Sequence, residues 1–224
     1  MKMSNQDGTI SLELVTEEAE LLDNLVSQLI LLLQSHSDAP LDPDPVLANL
    51  DIGGTTELPV DPALARLFPN AFSDDESSAE FRSLTEQGLV NRKLADSAIV
   101  SQALSDHRLN KFMEDHDDDP LVESLKDHIP DSIPDDFGDS EQAASDDDEG
   151  GLSVSIRVTP DMFEAWLRTL NAIRLAMAAR IDIVDENSHA DKLQDPDSRA
   201  SVMVYDWIGV MIEGFLQLGT DTGE

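Results

Sequence analysis

At 224 residues the chain is long enough for one compact core with extensions. Its 47 acidic side chains against 14 basic ones leave a formal net charge of -33, a sign that repels nucleic-acid phosphates and anionic membrane surfaces. Neither direct nucleic-acid contact nor membrane docking is therefore expected, and a protein partner with a basic surface suits the charge. Cysteine is absent, which excludes disulfides, thiol catalysis, thiolate metal sites and cysteine-based redox sensing.

Residues Met1 to Gly8 have no apolar stretch of the kind a signal peptide needs. The longest apolar run, Leu29 to Leu33, is far too short to span a bilayer. A cytoplasmic location is expected. Ile10, Leu12 and Leu14 alternate with polar residues, the period of a half-buried strand. Thr16-Glu17-Glu18 then supplies a cap and acids that favour the start of a helix dipole. Leu22, Leu25, Val26, Leu29, Leu32 and Leu33 follow at helical spacing. Residues 35–60, with four prolines and two adjacent glycines, read as a loop.

Asp61-Pro62 looks like a cap followed by a first-position proline, opening a short helix that Pro69 ends. From about Asp74 to about Leu104 a long helical pattern puts Phe81, Leu84, Leu89, Ala95, Ala98 and Ile99 inward, with Gly88 as a bend or break. Composition then changes abruptly. Between Glu114 and Glu149 sixteen acids are opposed by Lys126 alone, which accounts for fifteen of the thirty-three excess negative charges. With three prolines and few large apolar residues, this stretch lacks the burial to offset its ordering entropy and reads as a disordered acidic linker.

Leu152, Val154, Ile156 and Val158 form a second alternating strand. Thr159-Pro160-Asp161 opens a helix carrying Phe163, Trp166, Leu167, Leu170, Ile173, Met177 and Ile181. A polar loop leads through Asp195-Pro196-Asp197 to a last helix, about Ser198 to Leu218, with Met203, Val204, Trp207, Ile208, Met211, Ile212 and Phe215 apolar. Both tryptophans, and Met177, Met203 and Met211, read as buried.

A shift of 144 positions aligns Ile10, Leu12 and Leu14 with Val154, Ile156 and Val158. The same shift aligns Leu22, Val26, Leu29 and Leu33 with Trp166, Leu170, Ile173 and Met177. Two strand-plus-helix units emerge whose strands could pair; chance similarity of two amphipathic patterns competes with that reading. The expected fold is mainly α, a bundle of about four to five helices with a small two-stranded sheet, interrupted by the disordered acidic linker. Residues 1–114 hold the N-terminal strand and helices, 115–150 the linker, and 151–219 the strand and two helices that complete the same core.

No nucleophile elbow and no phosphate-cradling glycine pattern is present. His36, His107, His116, His128 and His189 lie at helix ends or in polar loops without paired ligand spacing. The acids around His116 lack the glycine and closing glutamate of a calcium loop. Neither metal nor cofactor is expected, and no catalytic residue is assigned. The scarce basic residues carry more information. Arg82, Arg92, Arg168 and Arg174, with Asn171 and Asp206, are candidates either for internal ion pairing, with acids such as Asp206 or Glu164, or for a partner-binding patch.

The pieces Leu64-Ala65-Arg66-Leu67-Phe68-Pro69-Asn70-Ala71-Phe72, Glu80-Phe81-Arg82 and Arg92-Lys93-Leu94-Ala95 resemble the AosR family of actinobacteria, formerly a domain of unknown function. So do Trp166-Leu167-Arg168-Thr169-Leu170-Asn171-Ala172-Ile173-Arg174-Leu175 and Val204-Tyr205-Asp206-Trp207-Ile208. The ordered set covers nearly the whole chain outside the acidic stretch. The resemblance implies a non-enzymatic transcriptional regulator of the oxidative-stress response that contacts a sigma factor of RNA polymerase. Two departures stand out: a thiol switch has no cysteine to work with, and the acidic stretch is longer and more charged than the family pattern requires. An adaptor or accessory factor in protein turnover or folding, with the acidic segment as tether, is the alternative. An enzyme has no recognisable constellation to support it.

Overall fold

The computed structural model describes residues 1–36, 55–115 and 153–220, with side chains to residue 106 of the middle stretch and to residue 219 of the last. In chain order these form β1 (Lys2–Gln6), β2 (Thr9–Val15), α1 (Thr16–His36), α2 (Pro62–Leu67), α3 (Asp75–Asp115), β3 (Ser153–Val158), α4 (Pro160–Arg180), α5 (Glu186–Gln194) and α6 (Arg199–Thr220). The mainly helical class holds, with six helices and three strands among the described residues rather than four to five and two. The acidic segment 116–149, and most of the loop at 35–60, lie outside the described residues.

The sheet is antiparallel, in the order β1-β2-β3. Ile10, Leu12 and Leu14 oppose Val158, Ile156 and Val154, and all six side chains are buried on one face. That register is the one a two-fold relation between the two strand-plus-helix units requires, since Ile10 and Val154 are equivalent positions and so are Leu14 and Val158. The helices follow suit. Leu22, Val26 and Leu29 are buried in α1, and their counterparts Trp166, Leu170 and Ile173 are buried in α4.

The extra strand, β1, has no counterpart in the second unit. Its sequence shows little alternation, because only one face of an edge strand touches the core: Met3 packs over Gly214 of α6, where an added Cβ would lie 2.7 Å from its sulfur. The turn into β2 is Asp7-Gly8, both at positive φ (51° and 83°), the backbone of a two-residue type I′ hairpin. Asn5 ties the strand to the turn and to α6, its Oδ1 accepting from Gly8 N at 3.0 Å and its Nδ2 donating to Leu218 O at 2.8 Å.

Helix α4 is the centre of the molecule, packed against α1, α2, α3 and α6. Fully buried Trp166, Leu170, Ile208, Met211 and Phe215 form much of the α4–α6 contact, each contributing roughly 1.5–3 kcal/mol by removal from water. Helix α4 ends with Asp182 in the left-handed region (φ 59°) and Ile183 N donating back to Ala178 O at 2.8 Å. This is the Schellman arrangement, with Ile183 and Ala178 in apolar contact. Helix α5, read from sequence as loop, is set by the Asp185–Ser188 capping box and buries none of its residues. A helix without an inward face leaves no apolar period to read.

Helix α6 is, over Arg199–Gly219, long and apolar enough by length and composition to cross a membrane. Asp206 and Glu213 interrupt its apolar sequence, so no long uninterrupted apolar run marks it. Its inner face of Val202, Ile208, Met211 and Phe215 is committed to the protein core. Met203, by contrast, is 59% exposed rather than buried, on the side of α6 that faces away from α4.

The largest correction concerns α3. It runs without interruption through Gly88 to Asp115, and its inward face is not the apolar one. Phe81, Leu84, Leu89, Ala95, Ala98 and Ile99 are all exposed, whereas Ser78, Arg82, Glu86, Val90, Asp96, Ser97, Val100 and Leu104 are buried. Five of those eight inward residues are polar or charged. The stripe is stable inward because neighbouring elements supply partners for each charge, which hydrophobic periodicity does not register.

Candidate functional site

Arg82 is the hub of the buried polar cluster on α3. Its Nη1 donates to Glu86 Oε2 at 2.9 Å and to Phe68 O at 3.3 Å, and its Nη2 donates to Asn70 Oδ1 at 2.7 Å. Glu86 Oε1 in turn meets His36 Nε2 at 2.9 Å and accepts from Thr55 Oγ1 at 3.4 Å. The His36 ring stacks on Phe68, centroids 5.5 Å apart. Both members of the Arg82–Glu86 pair are 5% exposed in their side chains. The cluster thus pins the end of α1 and the segment after α2 onto α3, with the Arg82–Glu86 pair buried at its centre and Asn70 at its exposed rim.

Ten residues beyond Glu86 on α3, Asp96 holds Arg168 of α4 by two bonds, from Nε at 2.8 Å and from Nη2 at 3.1 Å. Arg168 Nη1 donates to Glu164 at 2.7 Å. Hydrogen bonds to Asp96 and then Glu164 raise the Arg168 pKa above its ordinary value. Beside it, Lys93 lies with its ammonium 5.9 Å from the Phe68 ring centre. Burial pushes its pKa down, and the charge of Asp96 opposes that shift. Arg82 and Arg168 are therefore internal ion-pair residues, as Arg180 is through Asp61 at 2.7 Å.

Arg92 sits apart from these, exposed on the outward face of α3. There Phe81, Leu84, Gly88, Arg92, Ala95 and Ile99 follow at three- and four-residue steps and share one stripe. Phe81, Leu84 and Ile99 are 42%, 55% and 37% exposed, and Leu89 beside them 44%. Phe72 extends the surface by meeting Phe81 edge-on at 5.8 Å. It is an apolar helix face with one cation in its middle.

The remaining candidates, Asn171, Arg174 and Asp206, converge on a cleft of about 290 Å³ between α4, α5 and α6. Arg66 from α2 also lines it, as do His189 and Tyr205. Asp206 pairs with His189 at 2.8 Å rather than with an arginine. Arg66 donates from Nη1 to Ile183 O at 2.7 Å, tying α2 to the end of α4. Arg174 differs from every other arginine described. Its guanidinium lies over the Tyr205 ring at 4.4 Å, and its buried Nε has no hydrogen-bond acceptor. Gly209, one turn beyond Tyr205 on α6, leaves the room: an added Cβ would sit 3.4 Å from Arg174 Nε.

Arg66, His189 and Tyr205 carry no signal that singles them out in sequence. They reach the cleft from three helices, and His189 belongs to the helix that periodicity misses. Among the described residues no group of three or more histidines and carboxylates is placed to hold a metal ion. No curated protein and no solved structure matches the chain. The family model described as a domain of unknown function, DUF2017, matches residues 1–218, and the chain belongs to that family.

Proposed function

We propose that the protein is a non-enzymatic, cytoplasmic regulator resembling AosR, which acts in the oxidative-stress response by binding a sigma factor or RNA polymerase. The observation that carries the protein-contact reading is the outward face of α3. Four large apolar side chains with Arg92 among them lie exposed on one long helix, a composition that suits a buried interface with an arginine anchor. The net charge of -33 favours encounter with the basic surfaces of nucleic-acid-binding proteins and disfavours DNA itself. The ordered motifs shared with AosR supply the identity of the partner class. The chain contributes no thiol switch of its own, so its role in this reading is contact.

The test uses purified full-length chain against the sigma factors and RNA polymerase of its own host. Retention of one of these at low salt is expected, with at least tenfold weaker retention by the L84D/I99D double variant and an unchanged thermal midpoint. Retention of none of them sinks the reading. Retention of a protease or chaperone instead would move the protein to the adaptor class.

A further inference from the structure

From the cleft geometry we infer a second, separate site: a carboxylate-binding site anchored on Arg174. In a chain with more than three acids for each basic residue, an arginine whose buried Nε has no acceptor calls for a ligand. Among the described residues Arg174 makes no hydrogen bond or ion pair, and its Nε is buried without an acceptor. Arg174 lines the cleft, and its guanidinium carries the forked donors that a carboxylate takes. Tyr205 fixes the plane of that fork by stacking at 4.4 Å, so little side-chain entropy is lost when an anion arrives. Asn171, three residues earlier on α4, lines the same wall with an amide, and Arg66 brings a second guanidinium.

The ligand class follows from the other walls. Asp185, Glu186 and Asp206 lie at the cleft, and their charge disfavours a dianion such as phosphate. A single planar carboxylate matches the fork of Arg174 end-on. Leu175, Ala178 and Ile183 form an apolar wall for an apolar stem attached to it. The site is built for a small branched or linear aliphatic carboxylate, free or at the C-terminal end of a peptide. This inference rests on Arg174 and is independent of the α3 face.

Tyr205 is the single tyrosine of the chain, so its ring resonances report on the cleft directly. The full chain is titrated with 3-methylbutanoate, with a short peptide ending in valine, with the same peptide amidated, and with inorganic phosphate, all at matched ionic strength. Saturable Tyr205 shifts are expected with the fatty acid or the free-ended peptide. They should be at least tenfold weaker with phosphate, absent with the amidated peptide, and lost in both R174M and R174Q. Saturation by the fatty acid identifies a free metabolite; saturation by the peptide alone identifies a chain end. The inference is overturned by no saturation up to about 10 mM, which would fill a site of roughly 1 mM affinity. It is equally overturned by equal response to phosphate, or by shifts that persist in the Arg174 variants.

Discussion

Arg82 and Arg174 both lie along helices packed in the same small protein, yet their surroundings are opposite. Arg82 has a carboxylate, an amide oxygen and a backbone carbonyl within 3.3 Å. Arg174 has an aromatic ring and a buried Nε with nothing to donate to. The difference is prepared locally. Arg82 is followed four residues later by Glu86, and Arg168 is preceded by Glu164 at the same spacing, so helix geometry alone delivers each a partner. Within one turn of Arg174 on either side there is no acid. An arginine with acceptors already in place belongs to the fold; one without them is free to bind.

The sharpest way to break that contrast is to remove the acceptor. Glu86→Leu leaves the Arg82 guanidinium 5% exposed and without its counter-charge, and such loss of one partner from a buried pair costs about 3–5 kcal/mol. Urea unfolding followed by circular dichroism should show a midpoint lowered accordingly, with Glu86→Gln lying between the variant and the parent. A loss below about 1 kcal/mol would mean that Asn70 and the Phe68 carbonyl suffice for Arg82.

A smaller effect, opposite in sign, is expected at Lys93. Burial depresses its pKa, so folding favours the neutral amine. Below the folded-state pKa both states carry the charge and the native protein bears the full desolvation cost. That cost falls as pH rises from the folded pKa to the unfolded value of about 10.4. Lys93→Met should therefore raise the denaturation midpoint at neutral pH, and the advantage should shrink toward zero above about pH 10.5. A variant destabilised at neutral pH would show that Asp96 and the Phe68 ring outweigh burial.

These charges also mark where the sequence could be read and where it could not. Alternation at Ile10–Leu14 and Val154–Val158, and the helical periods after each, placed two equivalent units and left open the pairing that the register of β2 and β3 displays. The Asp7-Gly8 turn was a readable hairpin signal, but the strand before it offers only Met3 to the core, so apolar alternation did not announce β1. Apolar spacing locates helix α3 but assigns it the wrong inward face, because its outward stripe is the more apolar one and its inward charges are satisfied by His36, Asn70 and Arg168, residues distant in sequence. The scarcity of basic residues marks Arg174 in sequence. Its meeting with Arg66, His189 and Tyr205 depends on the packing of α2, α5 and α6, which no local period encodes.

The smallest expected change is the most informative for the comparison. Arg174→Met removes a cation–ring contact of about 0.5–2 kcal/mol. It also removes a buried donor whose missing hydrogen bond costs about 1–3 kcal/mol, and methionine retains most of the apolar stem. The two terms oppose each other, so the unfolding free energy should lie within about 1 kcal/mol of the parent, where Arg82→Met on α3 falls well below it. Chemical denaturation of the two variants side by side decides the matter. A loss at Arg174 as large as that at Arg82 would make it a structural arginine after all, held by Tyr205 and Gly209, and would remove the ground for a ligand in the cleft.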